Sequence, residues 1–334
     1  MTDKKVSING YTTTYTELGK GIPLLFAHGY SLNRSMWQPQ LEGLTGVARV
    51  IALDLRGHGD AEPAAPPYSM DLFADDLNAL LEALSIQQRI VLCGLSMGGY
   101  ITLAFFRKYA SRLAGLILTA TRSGADSPEG RLNRDKAIDT VKEKGVTAIV
   151  DSMLPKILSP NSYEKKPELV ALVRSIMEST SVDGIVGALS AMKERPDSTP
   201  DLSQIRVPTL IIHGADDQII PPQEAQAMQA AIAGSTLEII PDAGHLLNLE
   251  QPEAEDLKTA GQVSASVGGE TATAGQAGDL RMAFRFATIE RELLIHKLAR
   301  YGVWVVDWNV DRPLAEALRK GLMPLRRGHR MLKI

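Results

Sequence analysis

The chain has 334 residues, 44% of them hydrophobic and 22% charged, with a net charge of −3. That is enough apolar material for one large core or two modest ones, and it leaves no field of one sign to draw nucleic acid or a membrane surface. A single cysteine, Cys93, excludes an internal disulfide and fits a reducing compartment. The start, Met1-Thr2-Asp3-Lys4-Lys5, is polar and carries no apolar signal core, and no apolar run nears the ~20 residues that span a bilayer. A cytoplasmic protein is the expectation.

Alternating Thr and Tyr from Tyr11 to Glu17 predict an early strand, and Gly19-Lys20-Gly21 a turn. Pro23 to Ala27 is a short apolar strand that delivers His28-Gly29-Tyr30-Ser31. Asn33 to Leu44 has helical spacing, with Met36, Trp37, Leu41 and Leu44 on its apolar side. Val47 to Leu53 is the next strand, ending in Asp54-Leu55-Arg56-Gly57-His58-Gly59-Asp60. After the loop that holds Pro63, Pro66 and Pro67, Ser69 caps a helix through Leu84. Arg89 to Leu95 is an apolar, β-branched run that enters Gly94-Leu95-Ser96-Met97-Gly98, and a helical pattern follows from Tyr100 to Tyr109. Strand, sharp turn and helix are the context in which Gly-x-Ser-x-Gly lifts a serine hydroxyl above a sheet edge. The two glycines omit Cβ atoms that would collide there. Leu113 to Ala120 is another uninterrupted apolar strand, as two-sided burial in a parallel sheet requires.

From Thr121 to Gln204 strand-like runs vanish, and helical segments are broken by Pro128, Pro155, Pro160, Pro167 and Pro196. This predicts a helical cap over residues 121–204. The α/β pattern resumes with a strand from Val207 to His213, then Gly214-Ala215-Asp216-Asp217-Gln218-Ile219-Ile220-Pro221, a helix over Gln223 to Ala233, a strand over Thr236 to Ile240, and Pro241-Asp242-Ala243-Gly244-His245. A core over 1–120 and 205–254 follows. The pattern stops near Glu255. Residues 255–279, rich in Gly, Ala, Ser and Thr, read as a linker, and 280–334 as an atypical α/β extension that offers a route to self-association.

Three strand ends thus carry a nucleophile, an acid and a base in the order Ser96, aspartate, His245. With His28-Gly29-Tyr30, the Asp54 to Gly59 turn, Gly214-x-x-Asp217-x-x-x-Pro221 and Gly244-His245 before Leu249-Glu250-Gln251-Pro252, the chain over about 6–254 resembles the α/β-hydrolase superfamily. Its cap-bearing carboxylesterases and 3-oxoadipate enol-lactonases are the nearest likeness. The last fifty residues, through Gly302 to Asp307 and Asp311-Arg312-Pro313-Leu314, weakly resemble the end of a bacterial von Willebrand factor A-like family of unknown function.

The resemblance implies an α/β-hydrolase fold: a mostly parallel, doubly wound sheet with a helical cap insertion and an atypical C-terminal extension. Ser96 is the expected nucleophile and His245 its base, because imidazole ordinarily titrates near neutrality. Asp217 has the family spacing and is the expected acid, with Asp216 beside it as the competitor. The backbone amides of Tyr30 and Met97 are the expected oxyanion hole. Tyr30, Trp37 and Leu95 are candidate pocket residues, although Trp37 fits a core position equally well. His28 is read as shaping the oxyanion loop, and His58, His213 and Cys93 as structural. No histidine and carboxylate cluster suggests a metal, and no motif suggests a cofactor. The reaction implied is hydrolysis of carboxylic esters with short to medium acyl groups, the partner a small ester or lactone. The apolar surroundings of the elbow suggest an uncharged acyl group. A lactone or enol-lactone hydrolase and a ligand-binding protein without catalysis are the alternatives, and amide, C–C and peracid chemistry share the same residues.

Overall fold

The computed structural model describes residues 3–62 and 67–268. Eight strands form one sheet: β1 (Lys4–Ile8), β2 (Tyr11–Gly19), β3 (Pro23–Ala27), β4 (Arg49–Leu53), β5 (Ile90–Leu95), β6 (Leu113–Thr119), β7 (Thr209–Gly214) and β8 (Thr236–Ile240). Their spatial order is β1-β2-β4-β3-β5-β6-β7-β8. The first two strands pair antiparallel, β2 also meets β4 antiparallel, and the six strands from β4 to β8 run parallel. The edge strand β1 was not expected: Lys4-Lys5-Val6-Ser7-Ile8 has little apolar alternation, and pairing with β2 defines it.

Twelve helices, among the described residues, flank or cap this sheet. They are α1 (Gln38–Gly43), α2 (Met70–Ala83), α3 (Met97–Tyr109), α4 (Pro128–Lys144), α5 (Val146–Ile157), α6 (Pro160–Lys165), α7 (Pro167–Glu178), α8 (Val182–Lys193), α9 (Thr199–Leu202), α10 (Pro222–Ala231), α11 (Leu247–Glu250) and α12 (Pro252–Gly268). Strand side chains alternate between two core layers. Leu25 and Ala27 of β3 join Phe73, Leu77, Leu80 and Leu81 of α2 and Ile101 and Phe105 of α3 on one face. Leu24 and Phe26 join Leu41 of α1 and Val263 of α12 on the other. The expected Ser69 cap forms, with its side chain accepting from the Leu72 amide at 3.0 Å.

Between β6 and β7 the chain is helical, α4 to α9. The prolines expected to break this segment mostly start its helices. Pro128, Pro160 and Pro167 stand in first turns, where the missing N–H costs nothing, and Ser127 and Ser159 cap the turns that open α4 and α6.

Two expectations are corrected. Asn33 to Leu44 is a 3-10 turn over Arg34–Trp37 followed by the short α1, because Pro39 restarts the helix. Residues 255–268 are helix rather than linker: α12 packs on β6, β7 and β8 and buries Glu255, Thr259 and Val263. The rest of the expected linker, the extension over 280–334 and the resemblance drawn for it lie outside the described residues. No helix among the described residues is long and apolar enough to cross a membrane.

Candidate active site

Ser96 sits between β5 and α3 with φ +55° and ψ −111°, a left-handed backbone that a side chain seldom takes. The turn is pinned by the Ser96 amide on Thr119 O at 2.9 Å and by Thr121 Oγ1, which donates to Ser96 O at 2.8 Å. A Cβ on Gly94 would strike the Gly98 carbonyl, and one on Gly98 would strike the carbonyl of Ala27. The elbow therefore closes directly on the end of β3. Ser96 occupies the cap position of α3, yet its hydroxyl makes no capping bond, so it is not spent on its own helix. Met97 opens α3, where backbone N–H groups lack partners within the helix.

The loop after β3 carries Tyr30 past this turn. His28 shapes it: Nδ1–H donates to Gly29 O at 2.8 Å while Nε2 accepts from the Leu55 amide at 2.9 Å. Burial, then the neighbouring His58, push the His28 imidazole well below its ordinary pKa, so it stays neutral and fixed in that tautomer. His58 is likewise buried and held down to about 4 by burial, the bond to Arg56 O opposing.

Asp217 follows β7 and His245 follows β8. His245 Nδ1 lies 2.8 Å from Asp217 Oδ2, and both residues are buried. The other Asp217 oxygen accepts from the amides of Ile219 at 2.8 Å and Ile220 at 3.0 Å. Burial raises the Asp217 pKa. The His245 charge, the His213 and His245 side chains and the Ile220 amide outweigh it, leaving the carboxyl well below the usual range. Asp216 is exposed, and its amide donates to Ala243 O in the loop after β8; its carboxylate takes no part in this pairing. His213 is buried beside this pairing. Its Nε2–H donates to Ile220 O at 2.8 Å and stands 3.2 Å from Asp217 Oδ2.

Ser96, His245, Tyr30 and Leu95 line one cavity of about 100 Å³, with Tyr100, Met153, Ile157, Met192 and Ile219. Trp37 does not reach it. That ring is wholly buried in the core layer on the α1 side, 4.6 Å from the Phe26 ring, because the turn before α1 faces inward there.

The expected apolar character of this cavity needs correction too, since Arg122 and Arg134 are part of its wall. Both bind Asp126, at 2.6 and 3.0 Å, and so does Arg195 at 2.8 Å. One buried carboxylate answers three guanidiniums. Burial raises Asp126, but Arg134 and Arg195 bring it below the usual range. Next to them the Tyr30 hydroxyl and Arg122 Nε are buried with no hydrogen-bond partner among the described residues. A charged residue just past β6, at the carboxyl end of a parallel sheet, was the available signal for Arg122. Asp126, Arg134 and Arg195 are gathered by the helices between β6 and β7, and no local pattern shows it. Among the described residues no group of three His, Cys, Asp or Glu is placed to hold a metal ion.

A mostly parallel sheet carries a strained serine turn after β5 and a paired aspartate and histidine after β7 and β8, and the chain belongs to the alpha/beta hydrolase family, whose model matches residues 24–255. Among its relatives, 3-oxoadipate enol-lactonase 2 of Acinetobacter baylyi is 31% identical over 231 residues, 69% of this chain and 84% of that protein. Non-heme chloroperoxidase CPO-A1 of Kitasatospora aureofaciens is 30% identical over 229 residues, 64% of this chain and 80% of that protein. A thermophilic esterase from Thermogutta terrifontis superposes with a TM-score of 0.77 at 38% identity, covering 80% of this chain and 99% of the esterase.

Proposed function

We propose that the protein is a serine hydrolase that cleaves carboxylic esters with short to medium acyl groups through an acyl-enzyme. The observation that carries this reading is the 2.8 Å pairing of His245 with Asp217 at a cavity that Ser96 also lines. In the proposed reaction His245 takes the Ser96 proton as Oγ attacks the ester carbonyl. The tetrahedral oxyanion is met by the amides of Tyr30 and Met97. Its collapse breaks the C–O bond, and the alcohol leaves with the proton from His245. Water, activated by the same imidazole, then attacks the acyl-Ser96 carbonyl and releases the acid. Asp217 remains an anion throughout, because its pKa lies far below neutrality. It holds the imidazole by Nδ1 and stabilises the imidazolium.

An esterase and an enol-lactonase among its relatives support the hydrolytic reading over that of a binding protein without catalysis. The test is hydrolysis of p-nitrophenyl butyrate by the full chain. We expect turnover by the wild type and a loss of at least about a thousandfold in kcat in Ser96→Ala and in His245→Ala, since such residues act as a unit. A variant that keeps a tenth of the activity removes that residue from the mechanism.

Arg122, Arg134 and the unpartnered Tyr30 hydroxyl favour a second reading, in which the acyl part, open ester or lactone, carries a carboxylate. The half-ester of succinic acid with p-nitrophenol, assayed beside the butyrate, separates the two. A preference of about tenfold in kcat/KM for the half-ester is worth about 1.4 kcal/mol and supports the anionic acyl group. Equal or inverted rates support the uncharged one.

A further inference from the structure

We propose that Glu250 and the segment Ile157-Leu158-Ser159 form a bridge through which the cap holds His245 in place, which makes Glu250 a positioning residue for the base. The inference rests on His245 acting as the base of the proposed reaction. Glu250 ends α11 and is 2% exposed, so its carboxylate has lost its water. Its two oxygens go to different parts of the molecule. Oε1 accepts from the Gly244 amide at 2.8 Å, directly before His245. Oε2 accepts from the Ser159 amide at 2.9 Å, 91 positions away and between α5 and α6 of the cap. On the other side of His245, the Leu246 amide donates to Ile157 O at 3.2 Å. Both neighbours of the imidazole are therefore tied to the same three residues, one through the carboxylate and one directly. Gln218, next to Asp217, also reaches them, with Nε2 donating to Leu158 O at 3.3 Å. The acid loop and the base loop thus share one support.

The contact is close. A Cβ on Gly244 would run into Ser159 N and Leu158 C, so only glycine lets the two backbones approach this far. Ile157 also lines the cavity, so an acyl group seated there touches the support of the base. A carboxylate is an expensive way to fill a buried space, and a leucine would fill it without loss of hydration. Accepting two N–H groups at once, from two separate loops, is what a buried carboxylate does and an apolar side chain cannot.

Glu250→Gln keeps the volume and turns one of the two acceptors into a donor. We expect kcat per titrated active site on p-nitrophenyl butyrate to fall about tenfold, with KM held within about twofold, because a small misplacement of a reacting group costs rate rather than binding. The proton shared by His245 Nδ1 and Asp217 supplies a readout that needs no substrate. In protein carrying ¹⁵N-labelled histidine, its downfield resonance should broaden or move upfield in Glu250→Gln. Gly244→Ala pushes the same two backbones apart with the carboxylate intact and should reproduce both effects, which keeps the test decisive if Glu250→Gln fails to fold. A folded Glu250→Gln that melts earlier but keeps wild-type kcat and an unmoved resonance would make Glu250 a packing residue and overturn the proposal. Absence of ester turnover in the wild type would count against the proposed function alone, since the resonance still reports on the bridge.

Discussion

At the scale of single residues, two adjacent aspartates have opposite surroundings. Asp217 receives two backbone amides on one oxygen and His245 on the other, while Asp216 is exposed. Asp217→Asn puts an amide where the imidazole N–H needs an acceptor, so we expect a loss of about a thousandfold or more in kcat, against less than about tenfold for Asp216→Asn. The reverse ranking in folded proteins would make Asp216 the acid. The family spacing from Gly214 and Pro221 pointed to Asp217, and it is this aspartate, not Asp216, that the structure pairs with His245. Trp37 was not legible, because an apolar position on a short helical segment does not say which layer it enters, and Phe26 claims the ring for the core. The Asp126 cluster was hidden for a different reason. Its members come from residues 122, 126, 134 and 195, and only the fold of the segment between β6 and β7 makes them neighbours.

At the scale of elements, strands were the easiest to read. Parallel strands buried on both faces leave continuous apolar runs, and β3, β5, β6 and β7 all have them. The helix α12 was hidden by its composition. Small residues such as Ala254, Thr259, Ala260 and Gly261 suggest a linker, yet a helix lying on a sheet gains its stability from packing more than from propensity. That helix also buries Glu255, whose two carboxyl oxygens have no hydrogen-bond partner among the described residues. Burial, then the neighbouring Asp256, hold its pKa well above the ordinary 4.5, so the folded chain keeps the proton that the unfolded chain gives up. The unfolded state therefore binds fewer protons above pH 4.5, and stability falls as pH rises from there toward the folded pKa. Glu255→Gln should remove that slope. We expect its melting temperature to exceed that of the wild type at pH 8 by more than at pH 5. Parallel melting curves at the two pH values would mean that Glu255 is not protonated in the fold.

For the whole molecule, every element that touches the cavity among the described residues lies before Gly268, with α12 covering β6, β7 and β8. A chain cut after Gly268 should keep the kcat of the full chain. One cut after Ala254 loses the buried Glu255, Thr259 and Val263, bares the apolar layer beneath them, and should aggregate or melt earlier. Equal stability of the two truncations would show that α12 covers nothing the fold needs. The proposed reaction turns on one bond, between Ser96 Oγ and the acyl carbon. Rapid quenching of the full chain with a p-nitrophenyl ester, followed by mass spectrometry of its peptides, measures that bond directly. We predict one added acyl group on the peptide that contains Ser96, formed with the burst of p-nitrophenol and absent from Ser96→Ala. An acyl group on another side chain, or full turnover with Ser96 replaced, would contradict it.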